Sequence, residues 1–179
     1  EYDVSMNSVS RRFAIQVDAR VSVPIIANLN QDAGDTLEVV LMEDDASRIL
    51  AWSEDGSPFD MGANPYVEHP LGGGALFRSV AVGDVVPDSA GLEIVQAVAN
   101  PSTGAAHRDS VYCWNAVTGN LLWGAELPGQ RSSVSRLSVP VIADVDDDGE
   151  PDVVVARGIV RLVDEGSIVD EGGLFVIDW

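Results

Sequence analysis

The sequence predicts an all-β fold assembled from repeated four-stranded units, and three observations carry that expectation. The dominant hydrophobic period is two, in short runs rich in Val, Ile and Leu that are bounded by Gly, Pro, Asn or Asp. "LEVVLME" (37–43), "LEIVQAVA" (92–99), "DSVYCW" (109–114) and "DVVVA" (152–156) are examples, and no stretch combines helical periodicity with caps. The second observation is self-similarity. "SVPIIANLNQDAGDTLEVVL" from Ser22, "SVAVGDVVPDSAGLEIVQAV" from Ser79 and "SVPVIADVDDDGEPDVVVA" from Ser138 each read as a strand, an acidic loop and a second strand. The third is a strand that follows each copy and ends on tryptophan: "SRILAW" at Trp52, "SVYCW" at Trp114 and "GLFVIDW" at Trp179.

The strands follow in order within each unit. After Trp52 and Trp114 the chain reaches Gly56 and Gly119, where glycine is expected to supply a positive φ. The second of these turns leads into the strand "NLLWGAEL". The repeat starts lie 57 and 59 residues apart, so each unit holds about 58 residues and four strands. That size fits the blade of a β-propeller, which buries its faces against its neighbours. The tryptophans are accordingly read as packing residues, with carbohydrate stacking as the alternative.

The chain is therefore expected to be one propeller segment over residues 1–179, with repeat cores at 22–78, 79–137 and 138–179. Residues 1–21 carry "RRFAIQVDAR", which reads as a last strand able to complete the unit that stops at Trp179. Three blades fall short of the roughly 4–8 of a usual ring, so further blades or other subunits are expected to complete it. The chain opens at Glu1 without an initiator Met or signal peptide, which suggests a processed or excised product.

Composition narrows the partners. The chain has 179 residues, with 29 acidic and ten basic side chains and a formal charge of −19; every base is Arg. Such a surface repels nucleic acid and anionic lipid. It reads either as a strongly solvated surface or as one partly neutralised by divalent cations. No apolar run approaches the ~18 residues of a membrane-spanning helix. The lone Cys113 excludes an intramolecular disulfide and reads as a small buried apolar residue.

The sharpest chemical signal is the loop of the third copy. Asp144, Asp146 and Asp148 stand at positions 1, 3 and 5, Gly149 at 6, Glu150 at 7 and Asp152 at 9. This opens like a D-x-[DN]-x-[DN]-G calcium loop, in which alternate carboxylates converge, glycine permits the turn and position 7 offers its carbonyl. Hard oxygen donors of this kind select Ca²⁺ over transition metals. Val155 occupies position 12, where an EF-hand carries its bidentate Glu, so the loop is expected between strands rather than helices. The first copy offers a weaker set, Asn28, Asn30, Asp32 and Glu38, in a loop two residues longer. The second keeps Asp84, Asp88 and Glu93 but places Val86 in the middle, and is expected to be an empty turn.

The segment "VPVIADVDDDGEPDVVVA" resembles the FG-GAP, or VCBS-type, repeat of integrin α-subunit propellers and of many secreted bacterial proteins. That resemblance implies calcium held by Asp144, Asp146, Asp148, the Glu150 carbonyl and Asp152. It also implies an extracellular or cell-surface platform that binds a protein or carbohydrate partner. The Phe-Gly and Gly-Ala-Pro signatures are absent as such, and "NAVTGNLLWGAEL" resembles the outer hairpin of quinoprotein-type propellers instead. The expected function is a non-catalytic calcium-binding module for adhesion, recognition or assembly. A polysaccharide lyase or lectin-like domain and a subunit of a multi-chain fibre are the alternatives. His69 and His107 lie in Pro/Gly-rich loops without a nucleophile motif, and Gly72–Gly74 lacks the helix and Lys of a phosphate loop. The loops 56–76 and 99–109 are spacer or recognition surface.

Overall fold

The computed structural model describes residues 14, 21–34, 36–43, 48–62, 66–68, 76–99, 109–128, 136–158 and 172–178. Among these the chain is all β, in three antiparallel sheets with no helix. The first sheet is the meander β1 (Ile25–Ala27), β2 (Glu38–Glu43), β3 (Arg48–Trp52) and β4 (Tyr66–Glu68). The second is the meander β5 (Leu76–Gly83), β6 (Glu93–Ala99), β7 (Ser110–Asn115) and β8 (Leu121–Glu126). In the third, β9 (Arg136–Leu137) and β10 (Val141–Ala143) lie one after the other along one edge of β11 (Asp152–Gly158), and β12 (Gly173–Ile177) pairs with the other edge. Apart from Ala14, which is exposed, the strand expected within residues 11–20 falls outside the described residues, as do His69, His107 and Trp179.

The three sheets share one irregularity in the same place. Val21 bridges Glu43 while Ile25 pairs with Val40; Phe77 pairs with Val98 while Val80 pairs with Gln96; Leu137 pairs with Arg157 while Val141 pairs with Val154. Each time the first strand holds one residue more than its partner, which is a β-bulge. In the first and third sheets a serine sits at that point. Ser22 N–H donates to the Met42 carbonyl (2.9 Å) and Met42 N–H donates back to Ser22 Oγ (2.9 Å). Ser138 and Ala156 repeat the exchange at 2.8 and 2.9 Å. The hydroxyl thus takes the place of a ladder carbonyl that the bulge has moved away. The second sheet corrects the sequence alignment. Counting on from Phe77, Arg78 falls opposite Ala97, where Ser22 and Ser138 fall opposite their partners, so Ser79 stands one place later than the matching letters suggest.

Side-chain alternation then builds a three-layer stack. Val40, Met42, Ile49 and Ala51 of the first sheet pack against Val80, Ile94, Val98 and Trp114 of the second. Val95, Ala97, Val111 and Cys113 point to the opposite face of the second sheet and pack against Val153 and Val155 of the third. The middle sheet is covered on both sides, and every residue of β6 is buried. β2, β3, β11 and β12 keep alternation, as strands with one covered face do. Burial pushes the Cys113 thiol up to about 12, helped by the charge of Glu93, which fits a packing role for that cysteine. Arg157 also ties the second and third sheets together: its Nη2 donates to the Pro128 carbonyl (2.8 Å), its Nη1 lies 3.9 Å from the buried Asp109 carboxylate, and its guanidinium covers the Phe175 ring.

The turns between third and fourth strands contain Gly56 and Gly119, and both have positive φ (87° and 69°). The second turn packs against the first sheet at Gly62, whose φ is 68° and whose Cβ, if present, would lie 1.8 Å from the Thr118 carbonyl oxygen. Gly62→Ala meets backbone on one side and left-handed strain on the other. It is expected to cost about 2–4 kcal/mol, read as a lower denaturant midpoint with an unchanged slope.

Candidate metal centre

The acidic loop of the third sheet joins β10 to β11, and its backbone folds around the first carboxylate. Asp144 Oδ1 accepts the N–H groups of Asp147 (2.7 Å) and Asp148 (3.2 Å), and its Oδ2 accepts that of Gly149 (3.0 Å). Asp146 Oδ1 accepts from Asp148 N–H (3.3 Å), and Asp148 Oδ1 accepts from Glu150 N–H (2.8 Å). The curl requires a positive φ at Asp147 (64°) and at Gly149 (95°). A Cβ on Gly149 would meet nothing within 4 Å, so glycine is favoured there by backbone conformation alone.

This path brings three of the expected ligands together. One carboxylate oxygen each from Asp144, Asp146 and Asp152 lies within 4.8 Å of the others. Asp148 and Glu150 stand outside that triad, both exposed. Asp152 is buried and anchors the group from the strand side, where its Oδ2 accepts the Val145 N–H (2.9 Å). The Asp146 carboxyl is held above its ordinary value by partial loss of solvent, then by the charges of Asp148, Asp152 and Asp144. Three hard oxygen donors with accumulated negative charge fit a cation such as Ca²⁺.

The other two loops show what the sequence comparison missed. In all three sheets the first residue of the second strand is a buried carboxylate: Glu38, Glu93 and Asp152. Each pairs with the last residue of the preceding strand, Ala27, Gly83 and Ala143. Each also accepts a backbone N–H two residues beyond that strand, from Leu29 (2.8 Å), Val85 (2.9 Å) and Val145 (2.9 Å). Glu93 accepts the Val86 N–H as well (3.1 Å). The acid that reads in sequence as the closing ligand of each loop is in every case a cap for the loop backbone. The signal lay in the lone acid opening each apolar second strand.

The first loop follows the third as far as its fifth residue. Gln31 has a positive φ (52°) where Asp147 does, and Asp32 N–H is shared between Asn28 Oδ1 and Asn30 Oδ1 (3.2 Å each), as Asp148 N–H is shared between Asp144 and Asp146. Its polar groups then bond to one another. Asn28 Nδ2 donates to the Asp32 carbonyl (3.2 Å), and the two Asp32 carboxylate oxygens accept from Thr36 N–H and Thr36 Oγ1. Glu38 is held above its ordinary value, chiefly by burial and against the opposing pull of its bond to Leu29. In the second loop Glu93 satisfies the Val85 and Val86 backbone, and Val86 presents no donor atom.

Comparison with protein-family models, with curated proteins and with solved structures gives no match.

Two expected outcomes follow from the carboxylates. Without metal, Asp146→Asn relieves repulsion and keeps an acceptor for Asp148 N–H, so at neutral pH the variant melts above the parent. A raised carboxyl pKa favours the protonated folded state. The parent's deficit therefore closes as pH falls through the raised value of Asp146 toward 3.8, and thermal melts from pH 7 to pH 4 with a chelator present measure it. Glu93→Ala strands the N–H groups of Val85 and Val86 and is expected to cost about 3 kcal/mol in denaturant unfolding, against about 1 kcal/mol for Glu93→Gln.

Proposed function

We propose that the chain is a non-catalytic segment of a β-propeller, stabilised by calcium at the third loop, that serves recognition or assembly outside the cell. The convergence of the Asp144, Asp146 and Asp152 oxygens between two strands carries the calcium part of this reading. Its propeller part draws support from the shared bulge register and from layers stacked through equivalent faces. It also draws support from the position of β5, whose neighbours across the layers are β1 and β2 on one side and β10 on the other, as first strands gathered near a common axis would be.

In this reading Asp144, Asp146 and Asp152 hold the ion, and Asp148 and the Glu150 carbonyl complete the shell. The ion supplies the counter-charge that the cluster lacks and joins β10 to β11 through the loop. The chain's own residues do the rest: Asp144 gathers the loop N–H groups, and Asp152 holds the Val145 N–H at Oδ2. The first loop, whose donors are spent on one another, is a structural turn. Partners of the platform are a protein or a carbohydrate at the cell surface.

Calcium at about 100 times its dissociation constant is expected to add about 2.7 kcal/mol, a rise of ~5–10 °C in melting temperature. Asp146→Asn and Asp146→Ala should both lose most of that rise. A melting temperature indifferent to calcium and chelator would overturn the calcium reading. The sign reversal is specific: Asp146→Asn is more stable than the parent with chelator and less stable with calcium.

A further inference from the structure

The stack has a direction, and its two outer faces are of opposite kind. The face of the first sheet that carries Val40 and Met42 packs on the face of the second that carries Ile94 and Val98. The second sheet then repeats the arrangement. Val95 and Ala97, which match Val40 and Met42 when counted from the buried acids Glu93 and Glu38, pack on Val153 and Val155 of the third sheet. Each interface is therefore a leading face laid on a trailing face. Among the described residues this leaves a leading face on the third sheet and a trailing face on the first, both largely apolar.

The leading face of the third sheet consists of Val141, Val154, Ala156, Leu174 and Val176, with Leu174 70%, Val141 57% and Val176 49% exposed. The trailing face of the first consists of Ile26, Val39, Leu41, Leu50 and Trp52, with Ile26 65% exposed, and ends at the Glu43–Arg48 ion pair. One loop residue shows which layer the leading face lacks. Leu29, two residues past β1, is fully buried under the second sheet, and Val85, two past β5, is buried under the third. Val145, two past β10, is 54% exposed.

We infer that the leading face of the third sheet receives the trailing face of the first sheet of a second copy of this chain. The contact continues the two interfaces already inside the molecule, with the same face laid on the same face. It is heterologous, so copies add head to tail, into a ring if the rotation closes and a filament if it does not. It deepens the assembly part of the proposed function and rests on the stacking, not on the calcium site.

The test uses the whole chain, Leu174→Asp as a leading-face variant and Ile26→Asp as a trailing-face variant. Each changes an exposed side chain, and melting temperature with and without calcium is read in the same samples. The parent is expected to associate with rising concentration in sedimentation velocity, and each variant alone to stay monomeric. Mixed, the two variants should form a dimer of one copy each and nothing larger, because one intact face of each kind remains. Val141→Asp should behave as Leu174→Asp does. A parent that stays monomeric throughout, a mixture that forms no dimer, or a dimer lost in Leu174→Asp but kept in Ile26→Asp would overturn the inference. The calcium-dependent melting shift holds or fails separately in every case.

Discussion

A buried carboxylate at the start of each second strand is the constraint around which the rest is arranged. Glu38, Glu93 and Asp152 are nearly or wholly removed from solvent, and a polar group so placed needs hydrogen-bond partners. The loop supplies them from its own backbone, two residues past the first strand. That bond fixes where the loop leaves the sheet, and with it the register of the first strand against the second. The one-residue bulge then falls at the same distance beyond the acid in every sheet. Register in turn decides which side chains point to which face, because a slip of one residue would exchange the two faces of a strand. Local electrostatics at one residue therefore sets the global direction of the stack.

The stack explains the distribution of apolar residues better than any single sheet does. β6 carries Ile94, Val95, Ala97 and Val98 toward both faces because both are covered. Two polar side chains in this core have partners across the layers. Gln96 donates to Met42 Sδ, and Arg157 reaches Asp109, the Pro128 carbonyl and the Phe175 ring at the junction of the second and third sheets. A charge at such a seam is costly to leave unpaired, so the Arg157–Asp109 pair specifies how the two sheets meet more than it adds to stability.

Much of this was legible in the sequence. Period-two runs located β2, β6, β7 and β11 to within a residue or two, because strand alternation and turn residues act locally. The positive φ at Gly56 and Gly119 was legible for the same reason. The offset at Ser79 was not: a bulge lets letters match while the backbone is one place out, and only the cross-strand ladder reveals it. The backbone-capping role of Glu38, Glu93 and Asp152 was also hidden. A carboxylate closing a loop reads the same whether its oxygens face a cation or a backbone N–H, and only the hydrogen bonds from Leu29, Val85 and Val145 reveal the second role. The Arg157 contacts join residues far apart in the chain, which no local pattern encodes.

The first and third loops show how one backbone path carries two patterns of side-chain hydrogen bonds. Both turn through a positive φ at the fourth position and share the same N–H of the fifth between the first and third side chains. At the first position one loop carries Asn28 and the other Asp144. An amide offers a donor as well as an acceptor, so Asn28 binds the Asp32 carbonyl and the loop closes upon itself. A carboxylate only accepts, so Asp144 can gather three N–H groups and still leave the loop with excess negative charge. Thr36 completes the difference by occupying both oxygens of the Asp32 carboxylate, where in the shorter third loop the Glu150 N–H bonds Asp148 at Oδ1. The curl is thus a joint between two strands in the first instance. The gathering of carboxylate oxygens is a feature that the side chains at its first, third and last positions add to it or withhold.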